Sequence, residues 1–224
     1  MARHAASSPP EIGADELPAS NNASLSNLTL SAGTLDTPFN ANTLNYGASV
    51  GNAVGTMTVS ALKAEANASV GITPANPSTL AVGANGITVL VTAQDGTPKT
   101  YVVTVTRRTA FQDWALTNGV GSDPNAPGAN GLANLLNFGF GLTPSQGNAA
   151  MLLPQPQASG GNYVITFTQP AGVSGVTYGA EWKADLSSGT WTPIGDSGTG
   201  TTHTFSVPIG SNPQIFMRLK VSSP

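Results

Sequence analysis

Residues 85–107 read NGITVLVTAQDGTPKTYVVTVTR. Ile87, Val89 and Val91 recur at every second position, and so do Tyr101, Val103 and Val105. A period of two puts each set on one face of a strand. Between them, QDGTP carries an Asp-Gly pair of the kind that closes tight turns. The stretch therefore predicts an antiparallel hairpin with one buried face. Its register is fixed by that burial, because a slip of one residue would turn both apolar sets toward solvent.

Composition extends this reading to the whole chain. Only 8% of the 224 residues are charged, against about 25% in ordinary soluble proteins. Gly, Ala, Ser, Thr and Asn fill the polar positions instead, which suits strands and turns better than solvated helices. The net charge is −3, and the 8 Lys and Arg are scattered apart from the Arg107–Arg108 pair. That excludes a basic face for nucleic acid. The chain has no cysteine, so disulfides, thiolate metal sites and cysteine nucleophiles are excluded together. No apolar run approaches the roughly 18 residues of a membrane-spanning helix, and the chain as given shows no signal peptide.

Residues 1–22, rich in Pro, Ala, Ser and Asn with acids at Glu11, Asp15 and Glu16, show neither period and read as a flexible tail. From Ser24 short β-rich runs recur between turn signals, beginning with SLSNLTLS, where Leu28 and Leu30 alternate with polar neighbours. The order SLSNLTLSAGTLDTPFNANTLNYGASV, then NGITVLVTAQDGTPKTYVVTVTR, resembles the bacterial cadherin-like β-sandwich family over about residues 24–108. The resemblance implies an immunoglobulin-like sandwich from bacterial surface or secreted proteins. Cadherins bind calcium through acids at module junctions, but Asp36, Glu65 and Asp95 are isolated here, so that property does not carry over.

The remaining chain opens on TAFQDWALTNG, with Phe111, Trp114 and Ala115 on one helical face and Gly119 as a stop. A polar loop, SDPNAPGANG, leads into GLANLLNFGFGL, where Leu132, Leu135, Leu136 and Phe140 lie near helical spacing. After Gly147 the β pattern returns, ending in Ile215, Met217, Leu219 and Val221 on one face and Arg218 and Lys220 on the other. The blocks FQDWALTNG, GLANLLNFGFGLTP, VTYGAEWKADLSSGTW and IFMRLKV resemble, in order, a C-terminal module common on large secreted bacterial proteins. In the resembled pattern the loop carries calcium-binding acids, followed by a glutamate in the next helix. Here Ala126, Gly128 and Asn130 stand in the acid positions and Asn137 in that of the glutamate. Calcium prefers several carboxylates among six to eight oxygens. Asp123, Asn125 and Asn130 are thus the residual metal candidates, and the loop is expected to fold without the ion.

Three other constellations bear on chemistry. GDSGTG at 195–200 echoes a serine-protease nucleophile stretch, yet the chain's histidines are His4, in the tail, and His203, and a triad needs a base and an orienting acid. The stretch reads as a hairpin loop. Glu181 and Asp185 are the nearest approach to a glycosidase carboxylate pair, but Glu181 alternates with Tyr178, Ala180 and Trp182 and so points outward. Tyr178, Trp182 and Trp191 form an aromatic group that offers rings for stacking on sugars, or else fills a core.

The sequence thus predicts a mainly β protein: two β-sandwich-like modules, the first immunoglobulin-like, joined by a short helical segment. The divisions are a tail (1–22), a cadherin-like sandwich (23–108), a helical linker with a degenerate calcium-type loop (109–146) and a C-terminal β-module (147–224). The expected role is a non-catalytic structural or adhesive module of a bacterial cell-surface or secreted protein, with no cofactor. Its expected partners are proteins, including further copies joined by strand pairing. The alternatives are a carbohydrate-binding accessory domain, with a surface glycan as partner, and an enzyme with an unrecognised site.

Overall fold

The computed structural model describes residues 18–187, 189–212 and 214–223. Most of the tail read from the sequence, residues 1–17, lies outside them. The protein is mainly β and divides into two compact units. The first holds the chain up to Ala48 with Thr56–Thr79 and Asn85–Val105. The second holds Ser49–Gly55, Leu80–Ala84 and everything from Thr106 onward.

The sandwich strands are β1 (Leu25–Leu30), β2 (Asn45–Val50), β3 (Thr56–Met57), β4 (Val59–Lys63), β5 (Ser69–Thr73), β6 (Ser78–Thr79), β7 (Gly83–Thr92) and β8 (Pro98–Arg107). One sheet has the order β2-β8-β7-β5, and β1 pairs with β4 in another. The β7–β8 hairpin is as its period requires: Ile87, Val89, Val91, Tyr101, Val103 and Val105 are all buried. Its turn closes by Gly96 N–H donating to the Ala93 carbonyl at 3.0 Å, with Gly96 at φ 93°, where only glycine is unstrained.

Strand β1 departs from simple alternation. A register shift between Leu25 and Asn27 buries Leu25 and Leu28, three residues apart, and leaves Leu30 only half-buried. An extra residue on one strand is the signature of a β-bulge, and it breaks the period that sequence reading relies on. Tyr101 then ties β8 to β1: its hydroxyl donates to the Ala41 carbonyl at 2.9 Å and accepts from Leu25 N–H at 3.2 Å. Order also begins before Ser24. Ser20 accepts from Asp95 N–H at 3.1 Å and Ala23 is buried, so the last residues assigned to the tail belong with the β7–β8 turn.

The second unit contains α1 (Ala110–Thr117), α2 (Asn134–Gly139), α3 (Ala149–Leu152), β9 (Gln157–Ser159), β10 (Asn162–Thr168), β11 (Thr177–Lys183), β12 (Thr192–Ile194), β13 (Thr202–Pro208) and β14 (Phe216–Ser222). Helix α1 starts at a capping box, Thr109 Oγ1 accepting from Gln112 N–H and Gln112 Oε1 from Thr109 N–H. It stops at Gly119, φ 65°. The β strands form two antiparallel three-stranded sheets, β13-β10-β9 and β12-β11-β14. Their core gathers Tyr178, Ala180 and Phe205 with Phe140, Phe167, Leu219 and Val221.

Residues 109–146, read from the sequence as a helical linker, fall in the same compact unit as the β region that follows. Phe111, Ala115, Leu135 and Phe138 form one buried cluster with Val173, Val176 and Val221 of the β region, so burial of apolar surface makes the helices part of the same unit. Gly139 permits the approach, since a Cβ there would lie 2.9 Å from Val221 Cγ1. Helix α2 is shorter than the apolar spacing implied, and Leu132 lies outside it.

Candidate functional site

The calcium-like loop is built by backbone bonds onto the start of α2. Leu135 N–H donates to the Pro124 carbonyl, Asn134 N–H to that of Ala126, and Gly128 N–H to that of Leu132, at 2.8–2.9 Å. Asp123 does not turn inward: its Oδ1 accepts from Asn125 N–H at 2.9 Å in an exposed Asx turn. The centre of the loop is taken by Asn137, which is fully buried. Its Oδ1 accepts from Asn130 Nδ2 at 2.7 Å, and its Nδ2 donates to Asn130 Oδ1 at 3.2 Å and to the Leu132 carbonyl at 3.1 Å. Asn130 also donates to the Thr143 carbonyl and accepts from Leu132 N–H.

The residues present do not fit a calcium ion. Where the resembled pattern has a glutamate binding metal, Asn137 presents an NH₂ group that itself donates to the loop oxygens. A donor in that position takes over what a cation would do, and it repels one. Gly128 leaves little space beside it, a Cβ there falling 3.1 Å from Asn137 Nδ2. Among the described residues no group of three or more His, Cys, Asp or Glu is placed to hold a metal ion. Millimolar calcium followed by excess chelator is therefore expected to leave the melting temperature unchanged; a rise reversed by chelator would contradict the assignment.

The three aromatic candidates separate. Tyr178 is buried, and its hydroxyl donates to the Gly139 carbonyl while burial pushes its pKa up to about 12. It is a core residue. Trp182 shares the inward face of β11 and is half-buried, opposite Thr192 and Met217. Trp191 alone stands on the outward side, and the Arg218 guanidinium carbon sits 4.1 Å from its ring centroid, with Lys183 Nζ at 5.6 Å.

Around Trp191 lies a charged network carried on β11 and β14. The register sets Glu181 opposite Arg218 and Gly179 opposite Lys220. Glu181 Oε2 accepts from Arg218 Nη2 at 2.7 Å and Oε1 from Lys220 Nζ at 2.6 Å. Those bonds, from Lys220 first and then Arg218, hold the Glu181 carboxyl below the ordinary glutamate value. Glu181 thus faces outward as its strand position required, beneath two half-exposed cations, and is not one of a carboxylate pair. Asp185 is turned to the Ser187 hydroxyl and N–H.

The GDSGTG stretch brings an acid and a base together, but no nucleophile. Asp196 Oδ2 meets His203 Nδ1 at 2.6 Å, while Ser197 Oγ donates to the Thr204 carbonyl at 3.1 Å. His203 Nε2, which a triad would aim at the serine, is buried without a partner, and the ring centroid lies 4.6 Å from that of Tyr178 and 5.2 Å from that of Phe167. Gly198 is required here, because a Cβ would run into the Thr202 carbonyl.

At the start of α1, Asp113 joins Arg108 Nε at 2.6 Å and accepts from Asn52 N–H. Burial pushes its carboxyl up, but the Arg108 and Asn52 bonds outweigh it and the pKa is lowered; Asp196 behaves likewise through His203 and the Thr204 and Gly198 N–H groups. These groups and Glu181 all have depressed folded-state values. The stability they contribute is present above the unfolded carboxylate range near pH 4 and is lost as pH falls through their folded values. The melting temperature is expected to begin dropping near pH 4, and a flat profile down to pH 2 would refute it.

A cavity of about 540 Å³ in the second unit is lined by Asn52, Arg107, Phe111, Gly175 and Ser223, among others. Arg107 directs donors to the Asn52 and Leu80 carbonyls, and among the described residues the lining has no acidic or histidine side chain for proton transfer. No helix among the described residues is long and apolar enough to cross a membrane.

No curated protein matches the chain. Residues 25–108, from the first residue of β1 to the one after β8, match the Cadherin-like family, described as a Cadherin-like beta sandwich domain.

Proposed function

We propose that the protein is a non-catalytic structural or adhesive module of a bacterial cell-surface or secreted protein, joined to other protein chains by β-strand pairing. The observation that carries this reading is the cadherin-like sandwich match over residues 25–108, since such domains serve structure and adhesion. The chemistry on the page agrees with it: Ser197, His203, Glu181 and Asp185 are each held in local bonds. The strand order leaves open sheet edges, the usual sites of pairing between chains.

The test is sedimentation velocity of the full chain across a wide concentration range, with electron microscopy of the same samples. Growth into regular oligomers or filaments supports the reading. A monomer at every concentration that also binds no surface protein counts against it. The carbohydrate-binding alternative now rests on Trp191, one side of which carries Arg218. Trp191→Ala leaving polysaccharide pull-down unchanged would remove it.

A further inference from the structure

The cations of the β region are gathered on one surface. From residue 109 onward the chain has three, Lys183, Arg218 and Lys220. All three stand on the outward face of the β12-β11-β14 sheet, beside one acid, Glu181. In a protein of net charge −3 that is a local excess of positive charge. Glu181 does not exhaust it. Arg218 gives Nε and Nη2 to Glu181, and Lys220 gives it one of three N–H groups. The two cationic side chains stay 50% and 56% exposed. The Trp191 ring against the guanidinium steadies that fork on the face.

Beside these cations the same face is hollow. A groove of about 250 Å³ is lined by Thr177, Gly179, Glu181, Pro193, Lys220 and Ser222, among others. Thr177, Gly179 and Glu181 alternate along β11, and Lys220 and Ser222 along β14, so these positions share the outward side. The floor is Gly179, set opposite Lys220 by the register. A Cβ built on Gly179 would meet only Lys220 Cβ, at 3.9 Å, an ordinary contact. The sheet therefore tolerates a side chain here, and its absence is what leaves the hollow.

The groove offers two kinds of polar group in a space smaller than the roughly 300 Å³ of a drug-sized pocket. Its cations suit a carboxylate, which arginine takes through paired N–H groups. Glu181 and the Thr177 and Ser222 hydroxyls suit O–H donors. Phosphate and sulfate chains bring charge but no donor for Glu181, and would set anion against anion. The ring of Pro193 gives an apolar wall for the C–H face of a sugar. We infer that this groove binds a uronate residue of an anionic polysaccharide, with the carboxylate on Lys220 and Arg218 and the ring hydroxyls on Glu181, Thr177 and Ser222. The inference rests on the carbohydrate reading above, which it narrows to acidic glycans, and it is independent of strand pairing.

The experiment is isothermal titration calorimetry of the full chain in calcium-free buffer at about 0.15 M salt. The probes are polygalacturonate, its fully methyl-esterified form, dextran sulfate and polyglutamate. Polygalacturonate is expected to bind at least tenfold more tightly than the ester, which has the same rings without the charge, and than polyglutamate, which has carboxylates without the rings. R218Q/K220Q and, separately, Gly179→Val are each expected to weaken it at least tenfold. Valine suits a strand and keeps every charge, so it tests the groove even where circular dichroism shows the double variant unfolded. Glu181→Gln fixes the sign: a surface held by charge alone gains affinity for anions when the acid goes, whereas uronate binding is expected to fall about threefold. Dextran sulfate bound as tightly as polygalacturonate, with Glu181→Gln raising both, would overturn the inference. The ester bound as tightly would overturn it and leave the carbohydrate reading standing. No polysaccharide bound at all would overturn both, and full affinity in a folded Gly179→Val would remove the groove from the site.

Discussion

Replacing Asn137 with leucine is expected to lower the unfolding free energy of the second unit by about 3 kcal/mol, the scale of losing three buried hydrogen bonds at about 1 kcal/mol each. Leucine has the same number of side-chain heavy atoms but removes the three hydrogen bonds that Asn130 and Leu132 make to Asn137, leaving the Asn130 amide its bonds to Thr143 and Leu132 and the Leu132 carbonyl its bond from Gly128 N–H. Urea unfolding followed by tryptophan fluorescence measures the loss. Trp114, Trp182 and Trp191 all lie in the second unit, so the signal is specific to it. A midpoint unchanged from wild type would show the amide pair to be incidental. Asn137→Asp separates polarity from charge. A carboxylate only accepts, so it faces Asn130 Oδ1 and the Leu132 carbonyl without a proton to share, and the variant is destabilised. Millimolar calcium is expected to restore part of that loss, as it cannot for leucine.

The second large effect belongs to the first unit. Tyr101→Ala is expected to cost about 4 kcal/mol, the usual scale for removing a buried aromatic ring. The ring is wholly buried, and its hydroxyl joins Leu25 of β1 to Ala41 in the loop before β2. Tyr101→Phe keeps the ring and removes the two bonds, so its expected cost is smaller, about 2 kcal/mol. Hydrogen exchange at the amides of Ile87, Val89 and Val91 provides the measurement. Protection that falls in the order wild type, phenylalanine, alanine supports the assignment. Equal loss in both variants would place the whole effect in the hydroxyl.

These two residues also mark how far the sequence could be read. Tyr101 was legible because it sits in an uninterrupted period of two, where burial and secondary structure are one signal. The hairpin, the mainly β class, the α1 stop at Gly119 and the outward side of Glu181 follow from local spacing in the same way. Asn137 was not legible as the centre of anything. An asparagine in an apolar helical run reads as a tolerated polar residue, and its role depends on a loop that folds back seven residues earlier. The bulge in β1 hid Leu25 for a related reason: one extra residue shifts the phase without changing composition. The Glu181, Trp191, Arg218 and Lys220 cluster and the Asp196–His203 pair needed the strand register, which no local pattern supplies. Of the aromatic candidates, the sequence grouped Tyr178 with Trp191 by nearness along the chain, whereas opposite faces of one sheet divide them.

The amide pair at Asn130 and Asn137 has a consequence for when the second unit acquires its fold. A loop organised around a bound ion stays open until that ion reaches it, so its folding is timed by the medium the chain passes through. Here the closing group is covalently part of the chain and is present as soon as residue 137 has been synthesised. The helices and the β-module behind them can consolidate at a rate set by the chain alone, in a calcium-poor interior and a calcium-rich exterior alike.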